Sequence, residues 1–403
     1  MQRAPITPRD DWQQKVSSAG LVFHSPEGEG MDRPYWDESA CYEFTAAEID
    51  TLEAAGNTLQ QMCLEAAQHI IDRKRYAELA IPPEAIPAIQ WAWNAEPPAI
   101  YGRFDVAYDG SGPPKLLEYN ADTPTSLLEA AVIQWSWLEE QFPNDDQFNS
   151  IHEKLIAKWH DIDPYLSKPI YFAALENAEN PEDQLTVTYL RDTAQQANLD
   201  TRQLSMHEIG WNDGQQTFMD LDDHPIFSIF KLYPWEAMLQ EEFGPHALDT
   251  YTAVRWIEPI WKMLLSNKGI LPILWQLYPN HELLLESHFA ETATNPGAPG
   301  LDSETWVSGV STHMMKNHIR KPLISREGAN ITLVRDNATV ITTDGPYNGR
   351  QIIQALAPPA IFDNRHPVLG LWMIDQDCCG MGIRESFSPI TGNLSSFVPH
   401  FFK

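Results

Sequence analysis

Apolar residues recur at helical spacing through the amino-terminal part of the chain, from Ile49 to Ile70. Thr45 and Glu48 precede this pattern with the spacing of a capping box, in which each side chain bonds the backbone N–H of the other residue. Two prolines at 82–83 follow it and do not continue a helix. The pattern therefore predicts a long amphipathic helix that ends before these prolines.

A short helix through Trp91 is predicted next, and the pattern then changes to that of a hairpin. Residues 101–107 alternate apolar and polar side chains, 109–114 are rich in Gly and Pro, and 115–119 form a second apolar segment. Alternating segments around such a turn predict two antiparallel strands. A further helix is predicted to open at residues 124–125.

The remaining pattern alternates helices and strands. Residues 1–44 lack periodicity, and we expect them to wrap the surface. Residues 151–200 read as helix, strand (170–174) and helix, which is an α/β arrangement, and 251–277 read as mainly helical. The polar Pro/Gly segment 291–300 is predicted to be an inserted loop. Strands are then predicted at 322–325, 331–334, 339–343, 351–356 and 369–374.

The predicted hairpin collects unlike polar groups on one face. Residues two apart on a strand share a face, so we expect Arg103 and Asp105 to project beside Glu118 and Asn120. Mg²⁺ is commonly held by one or two carboxylates together with substrate phosphates, and a guanidinium group offers a planar fork for a carboxylate or phosphate. The alternative is a surface hairpin with cross-strand ion pairs.

Two later features suit a nucleotide. Residues 325–330 lie between predicted strands, and their small side chains would let backbone amides approach phosphates. This is not a Walker A motif, because no GxxxxGK[ST] sequence occurs. Lys321 and Lys268 are candidates for contact with the phosphates. A plain hairpin turn and solvent-exposed lysines are the alternatives.

Net charge and cysteine spacing argue against a nucleic-acid-binding protein and against a zinc protein. The chain of 403 residues carries 27 basic and 56 acidic side chains, a net charge of −29 that argues against a nucleic-acid partner. Dispersed surface acid for solubility is the preferred explanation of this charge, and an acidic cleft that attracts a cationic partner such as a polyamine is the alternative. The four cysteines show neither CxxC spacing nor a histidine cluster, so no zinc site is indicated. No segment has the pattern of a signal peptide or a membrane span, and we expect a cytoplasmic protein without a membrane partner.

Several motifs resemble, in order along nearly the whole chain, the synthetase part of glutathionylspermidine synthase and its stand-alone acid–amine ligase relatives. These motifs are Arg103–Asp105, Glu118–Asp122, Phe230–Glu236, Ser266–Lys268, Lys321–Asn330 and Gly380–Glu385. The resemblance implies an ATP-grasp fold of the α+β or α/β class, with a pre-ATP-grasp α/β region and without an amidase domain. We expect three closely packed parts: a helical part with the hairpin (1–165), the pre-ATP-grasp part (166–250) and the ATP-grasp lobes with a nucleotide lid (251–403).

The resemblance also implies roles for particular residues. It implies that Asp105, Glu118 and Asn120 hold Mg²⁺, that Arg103 lies near the reacting carboxyl group and that Arg384 lies near the transferred phosphoryl group. It implies ATP contacts at Lys268, Lys321, Ser325, Gly328, Gln354 and Leu356. Substrate contacts are implied at Thr123, Thr125 and Ser126, where the glutathione-dependent members carry serines and a cysteine. This difference leaves glutathione and spermidine open as substrates.

The resulting prediction is an ATP- and Mg²⁺-dependent ligase that joins the carboxyl group of a small peptide or amino-acid derivative to an amine through an acyl phosphate. The alternative is a non-catalytic module of the same fold that binds a nucleotide or polyamine. A metal-dependent hydrolase that uses Asp105 and Glu118 ranks third, because it gives Lys268 and Lys321 no role. The sequence leaves the acid, the amine and the oligomeric state undetermined.

Overall fold

The computed structural model describes residues 1–26, 33–176, 181–290, 315–392 and 395–403. The Pro/Gly loop predicted at 291–300 lies outside the described residues. The helices, in chain order, are α1 (Trp12–Ser18), α2 (Ala46–Asp72), α3 (Ile86–Ala95), α4 (Gln134–Gln141), α5 (Ile151–Ile162), α6 (Glu182–Gln196), α7 (Trp235–Met238), α8 (Gly244–Asp249), α9 (Met263–Ser266) and α10 (Ile270–Leu277). The strands are β1 (Gln2–Pro5), β2 (Ala40–Phe44), β3 (Tyr101–Ala107), β4 (Lys115–Asn120), β5 (Ile170–Ala174), β6 (Thr201–Ser205), β7 (Gly210–Asn212), β8 (Thr217–Met219), β9 (Ser228–Leu232), β10 (Arg255–Ile257), β11 (Ser287–Phe289), β12 (His318–Pro322), β13 (Thr332–Arg335), β14 (Ala338–Thr342), β15 (Gln351–Ala355), β16 (His366–Ile374), β17 (Asp377–Ser386), β18 (Ser396–Phe397) and β19 (His400–Phe402).

The predicted long helix is confirmed as α2. Its capping box forms as expected, with the Thr45 hydroxyl accepting from the Glu48 N–H and the Glu48 carboxylate accepting from the Thr45 N–H. The helix ends at Asp72, and a 3₁₀ segment at Arg75–Leu79 completes the predicted span. The buried face of α2 packs against α10, β16 and β17, so it covers the sheet that carries the hairpin.

The expectation that residues 1–44 only wrap the surface is wrong. Strand β2 is largely buried and lies between β1, which is antiparallel to it, and β19, which is parallel. Tyr35 and Trp36 are also buried, with at most 1% of each exposed. These apolar segments are too short to show periodicity, and one partner of β2 comes from the opposite end of the chain. Local patterns therefore did not predict their burial.

The predicted hairpin is confirmed as β3 and β4, and it forms the edge of a five-stranded antiparallel sheet of order β18-β17-β16-β3-β4. Strand β17, which the pattern did not predict, is buried along most of its length and brings Arg384 into this sheet. The sheet thus joins the hairpin to strands near the carboxyl end of the chain.

A second five-stranded antiparallel sheet has the order β11-β15-β12-β13-β14. The strand predicted at 322–325 is displaced: it runs from His318 to Pro322 instead. The strand ends at Pro322 because the next carbonyl group, that of Leu323, accepts from the Lys268 N–H at 2.9 Å and not from a neighbouring strand. The strands predicted at 331–334, 339–343, 351–356 and 369–374 appear within a few residues as β13, β14, β15 and β16.

The α/β arrangement predicted for 151–200 is confirmed by α5, β5 and α6. Strand β5 lies in a parallel sheet of order β10-β9-β5-β6. The mainly helical prediction for 251–277 is wrong at its start, where β10 completes this sheet, because a three-residue strand has no periodicity of its own. From β5 the chain continues first to β6 on one side and then to β9 on the other, and such a switch between neighbouring parallel strands opens a crevice at their carboxyl ends. The division of the chain into three parts stays a prediction.

Candidate active site

The hairpin brings the four predicted polar residues together. Asp105 pairs with Glu118 and Arg103 with Asn120 across β3 and β4. Burial alternates along β3, with Phe104 and the residues on its side in the core. The expectation of one shared polar face is therefore confirmed.

Arg103 is held by its neighbours in a fixed orientation. Its guanidinium donates to both carboxylate oxygens of Asp105, at 2.6 and 3.0 Å, and to the Thr125 carbonyl at 2.6 Å. The side chain lies over Gly370 of β16, where a Cβ would come within 2.7 Å of it, and beside the Trp372 ring at 5.7 Å. A planar fork bound at three points is pre-organised to receive a further anion.

Glu118 connects the hairpin to the predicted nucleotide residues. Lys268 Nζ lies 3.1 Å from Glu118 Oε2 and donates to the Ser325 carbonyl at 2.7 Å. Burial disfavours ionisation of Glu118, but Lys268 and Lys321 outweigh it and lower the pKa of Glu118 to about 2. The carboxylate is therefore charged at neutral pH.

Lys321 lies beside this pair. It donates to the Leu117 carbonyl and to Gln354 Oε1, both at 3.0 Å. Burial lowers the pKa of Lys321 to about 8, with Lys268 acting in the same direction and Glu118 opposing. The two predicted phosphate lysines thus lie close together at the edge of β4.

The predicted adenine contacts have other partners in the structure. The Gln354 amide donates to the Leu116 carbonyl at 3.1 Å and accepts from Lys321, so its side chain ties β15 to the hairpin. Leu356 is half-buried and follows the end of β15. A contact of either residue with adenine stays a prediction.

The predicted substrate loop divides into two kinds of position. Thr123 and Thr125 line the cavity, whereas Ser126 is buried, lines a smaller adjoining space and has a left-handed φ of 66°. The helix that follows contains a π-helical turn at Glu129–Ile133 before α4 begins. Helical structure starts at residue 127, slightly later than the predicted opening at 124–125.

A buried ion pair that sequence reasoning missed anchors this loop. Asp122 accepts from Lys231 Nζ at 2.8 Å and from the Trp235 N–H at 3.0 Å. The Ser266 hydroxyl oxygen accepts from the N–H groups of Ala121 and Asp122. Three motifs that are distant in sequence therefore meet at Asp122, and the signal for this was their shared place in the resemblance.

These elements surround a cavity of about 350 Å³. Arg103, Asp105, Glu118 and Asn120 line one side of it, and Arg384 enters from β17. The Arg384 guanidinium donates to the Gly392 carbonyl at 2.8 Å. Residues 326–328 approach from the segment between β12 and β13, with Gly328 at φ +71°. The two predicted catalytic arginines thus face one space.

The lining also includes a group of acidic side chains, called the acidic wall below, which the sequence analysis missed. Its members are Glu176, Glu182, Asp183 and Glu327. Burial raises the pKa of Asp183 to about 6; Glu182 and Glu327 act in the same direction and Arg326 opposes them. Glu182 and Asp183 begin α6, just beyond the carboxyl end of β5, where parallel sheets commonly bind ligands. That position after a predicted strand was the available signal.

The donor set of the hairpin fits a divalent cation. Asp105 and Glu118 supply carboxylate oxygens, Asn120 supplies an amide oxygen, and all three line the same cavity. The Asn120 amide nitrogen donates to Asp105 Oδ2 at 3.2 Å, which turns its oxygen away from that carboxylate. Mg²⁺ prefers oxygen ligands of this type.

The fold and this site define a member of the glutathionylspermidine synthase family: the family model "Glutathionylspermidine synthase preATP-grasp" matches residues 3–403, and the chain belongs to that family. Over 404 aligned residues it is 38% identical to a Haemophilus influenzae protein named "Putative acid--amine ligase", covering 98% of this chain and 97% of the relative. It is 27% identical to trypanothione synthetase of Crithidia fasciculata, covering 98% of this chain and 62% of that protein. It is 26% identical to the bifunctional glutathionylspermidine synthetase/amidase of Escherichia coli, covering 76% of this chain and 50% of that protein.

The fold has a counterpart among solved structures. A glutathione synthetase-like effector from Globodera pallida aligns with a TM-score of 0.54 at 9% identity, covering 98% of this chain and 96% of the effector. The predicted mixed α/β fold and family are thereby confirmed, and the chain is a ligase of the class that forms carbon–nitrogen bonds. None of the helices among the described residues is both long and apolar enough to span a membrane.

Proposed function

We propose that the protein joins the carboxyl group of a small peptide or amino-acid derivative to an amine, with ATP and Mg²⁺, through an acyl phosphate. ADP and phosphate are the other products. The observation that carries this proposal is a single cavity lined by Arg103, Arg384, the oxygen donors of the hairpin and the acidic wall.

The cationic side of the cavity suits the first half-reaction. Transfer of a phosphoryl group to a carboxylate brings anions together, and guanidinium groups already in place stabilise the charge that develops. In this proposal Arg103 holds the carboxylate and Arg384 contacts the transferred group. Mg²⁺ held by Asp105, Glu118 and Asn120 would neutralise phosphate charge.

In this proposal the phosphates of ATP bind beside Lys268 and Lys321. Lys268 contacts both Glu118 and the Ser325 carbonyl, so it joins the hairpin to the segment 325–330. Lys321 lies next to the same carboxylate. Two ammonium groups here favour a polyphosphate beside the metal ligands, and Gly328 lets the backbone approach it.

The acidic wall supports an amine that carries positive charge. Glu182 and Asp183 line the same cavity as Arg103, so it offers carboxylates for a cationic amine as well as a guanidinium group for an acid. Relatives named as glutathionylspermidine synthetases favour a polyamine as the amine. Exclusion of water protects the acyl phosphate until the amine attacks, and we assign the segment 325–330 to that cover.

The test is ADP release by the purified protein with Mg-ATP against a matrix of small peptides and amines, with mass spectrometry of the products. We expect release that requires both an acid and an amine, and a product lighter by one water than their sum. Turnover without ATP would favour a hydrolase instead. Tight ATP binding without turnover for any pair would favour the non-catalytic binding module.

A further inference from the structure

A chain of buried hydrogen bonds lies behind the acidic wall. Tyr35 Oη is 2.6 Å from Glu129 Oε1 and 3.1 Å from Ser126 Oγ, and Ser126 Oγ is 3.2 Å from Glu182 Oε1. Tyr35, Ser126 and Glu129 are each at most 3% exposed. Glu182 lines the cavity, so the chain connects an interior carboxyl group to the wall.

The number of available protons determines which group donates in each of these hydrogen bonds. It has three contacts, and the two hydroxyl groups supply one proton each. If Glu129 is ionised, Tyr35 donates to Glu129 and Ser126 donates to Glu182, which leaves no proton between the two hydroxyl oxygens. If Glu129 is protonated, it donates to Tyr35, Tyr35 donates to Ser126, and Ser126 donates to Glu182. Every contact has a proton only when one of the two terminal carboxyl groups carries one, and Glu129 is the more deeply buried of the two.

The surroundings of Glu129 favour that form. Burial raises the pKa of Glu129 to about 7, and the charge of Glu182 acts in the same direction. The hydrogen bond from Tyr35 and the charge of Arg384 oppose this rise. Arg384 approaches from β17, with its guanidinium carbon 5.9 Å from the centre of the Tyr35 ring.

The backbone of Ser126 indicates that this arrangement is enforced. Its φ of 66° lies in the left-handed region that residues other than glycine rarely adopt. Such a conformation persists where the surrounding structure over-determines it. The hydroxyl group of Ser126 is thereby placed between Tyr35 and Glu182.

We propose that Tyr35 and Glu129 are positioning residues for amine recognition, which hold the Glu182 carboxylate against the cavity through Ser126. The proposal rests on the ligase function proposed above. It gives Ser126 a different role from the direct substrate contact that its sequence position implies. With protonated Glu129 as the donor at the far end, every contact of the chain has a proton, and the Ser126 hydroxyl group donates to the Glu182 carboxylate that faces a cationic amine.

The first test compares two changes that keep side-chain shape. Tyr35→Phe removes only the hydroxyl group, and we expect the KM for the amine to rise about tenfold while the KM values for the acid and ATP stay constant. Glu129→Gln retains an N–H donor for Tyr35 at every pH. It should keep the amine KM close to that of the wild type, whereas Glu129→Ala should raise it as Tyr35→Phe does.

The pH dependence separates positioning from general stabilisation. In the wild type the amine KM should rise as pH increases through about 7, because Glu129 then loses its proton. The same profile should be flat in Glu129→Gln over this interval. Tyr42→Phe is the matched control, since Tyr42 donates to buried Glu385 at the same 2.6 Å and neither residue lines the cavity. This control should leave the amine KM unchanged.

Two outcomes would overturn the proposal: an unchanged amine KM in Tyr35→Phe, or a Glu129→Gln variant as impaired as Glu129→Ala. If the wild type turns over no acid–amine pair, the proposed ligase function fails instead. The hydrogen-bond chain is then tested separately by infrared spectroscopy of the unliganded protein. The difference spectrum between the wild type and Glu129→Gln should contain a protonated-carboxyl band that titrates at about pH 7, and the absence of that band would refute the hydrogen-bond chain.

Discussion

Lys268 Nζ lies 3.1 Å from Glu118 Oε2 and thereby joins a lysine that precedes α10 to the hairpin of β3 and β4. Lys268 also donates to the carbonyl of Ser325, at the start of the segment 325–330. A single ammonium group therefore links the proposed metal ligands to the proposed cover of the nucleotide. Changes on either side of this pair should affect the reaction more than the fold.

We expect Glu118→Gln to lower kcat/KM for ATP by about 100-fold or more, because it removes the charge of a proposed metal ligand. The fold should persist, since Lys268 keeps its bond to Ser325. ADP release and circular dichroism measure the two effects. Glu43→Gln is the control, because Glu43 pairs with Lys403 at the same 3.1 Å on the surface. Full activity in Glu118→Gln would remove this carboxylate from the site.

The same pair predicts a pH dependence of stability. The pKa of Glu118 is lowered in the folded protein to about 2, so the contribution of the carboxylate is present above its ordinary value of 4.5 and is lost as pH falls toward 2. The difference in unfolding free energy between the wild type and Glu118→Gln should shrink over this interval. Denaturant titrations at several pH values measure it, and a difference that does not vary with pH would contradict the assigned ion pair.

Arg103→Lys should lower turnover about as strongly as Arg103→Ala. A lysine has no planar fork and therefore does not reproduce the two bonds to Asp105 together with the bond to the Thr125 carbonyl. Steady-state kinetics for the acid substrate measure the loss. Arg75→Lys is the matched control, because Arg75 forms a similar two-pronged pair with Glu78 outside the cavity. A lysine that restores activity would show that charge alone is required.

Lys321 predicts a rise in the KM for ATP as pH increases through about 8. Its folded-state pKa is lowered to about 8 by burial, so the ammonium charge proposed to contact the phosphates is lost above that pH. Lys321→Arg keeps its charge and should show a flatter profile. The free energy of unfolding should instead increase with pH over this range. Burying the charged form of Lys321 is costly below about pH 8, and this cost disappears as pH rises toward 10.5. If the KM for ATP varied with pH in the same way in the wild type and in Lys321→Arg, Lys321 would be excluded as the titrating group.

Gly328→Ala should impair ATP-dependent turnover beyond its effect on stability. The residue lies at φ +71°, and an added Cβ would come within 2.5 Å of the Thr391 carbonyl oxygen, which is backbone. Gly112→Ala is the control, because Gly112 has φ +72° and open space around it. Backbone strain should cost each variant about 1 kcal/mol of stability, the contact with Thr391 should add to the cost of Gly328→Ala, and only Gly328→Ala should alter the kinetics. Equal kinetics in the two variants would show that the segment 325–330 tolerates displacement.

Local patterns predicted the elements whose signals are contained in adjacent residues. The capping box at Thr45 and Glu48 and the hairpin that aligns Asp105 with Glu118 depend on short-range periodicity and turn chemistry. Strand β10 and the buried strand β2 escaped prediction, because their stability comes from partners far away in the chain.

The sequence by itself therefore determined the family, the hairpin and the grouping of Arg103, Asp105, Glu118 and Asn120, because strand periodicity fixes which neighbours share a face. Only the tertiary structure decided which distant groups face them. Glu182 and Asp183 reach the cavity because α6 packs against β5, and Ser126 turns inward to Tyr35 because packing holds its unusual backbone conformation. Contacts of this kind depend on how separate elements pack, and no local pattern of residues encodes that arrangement.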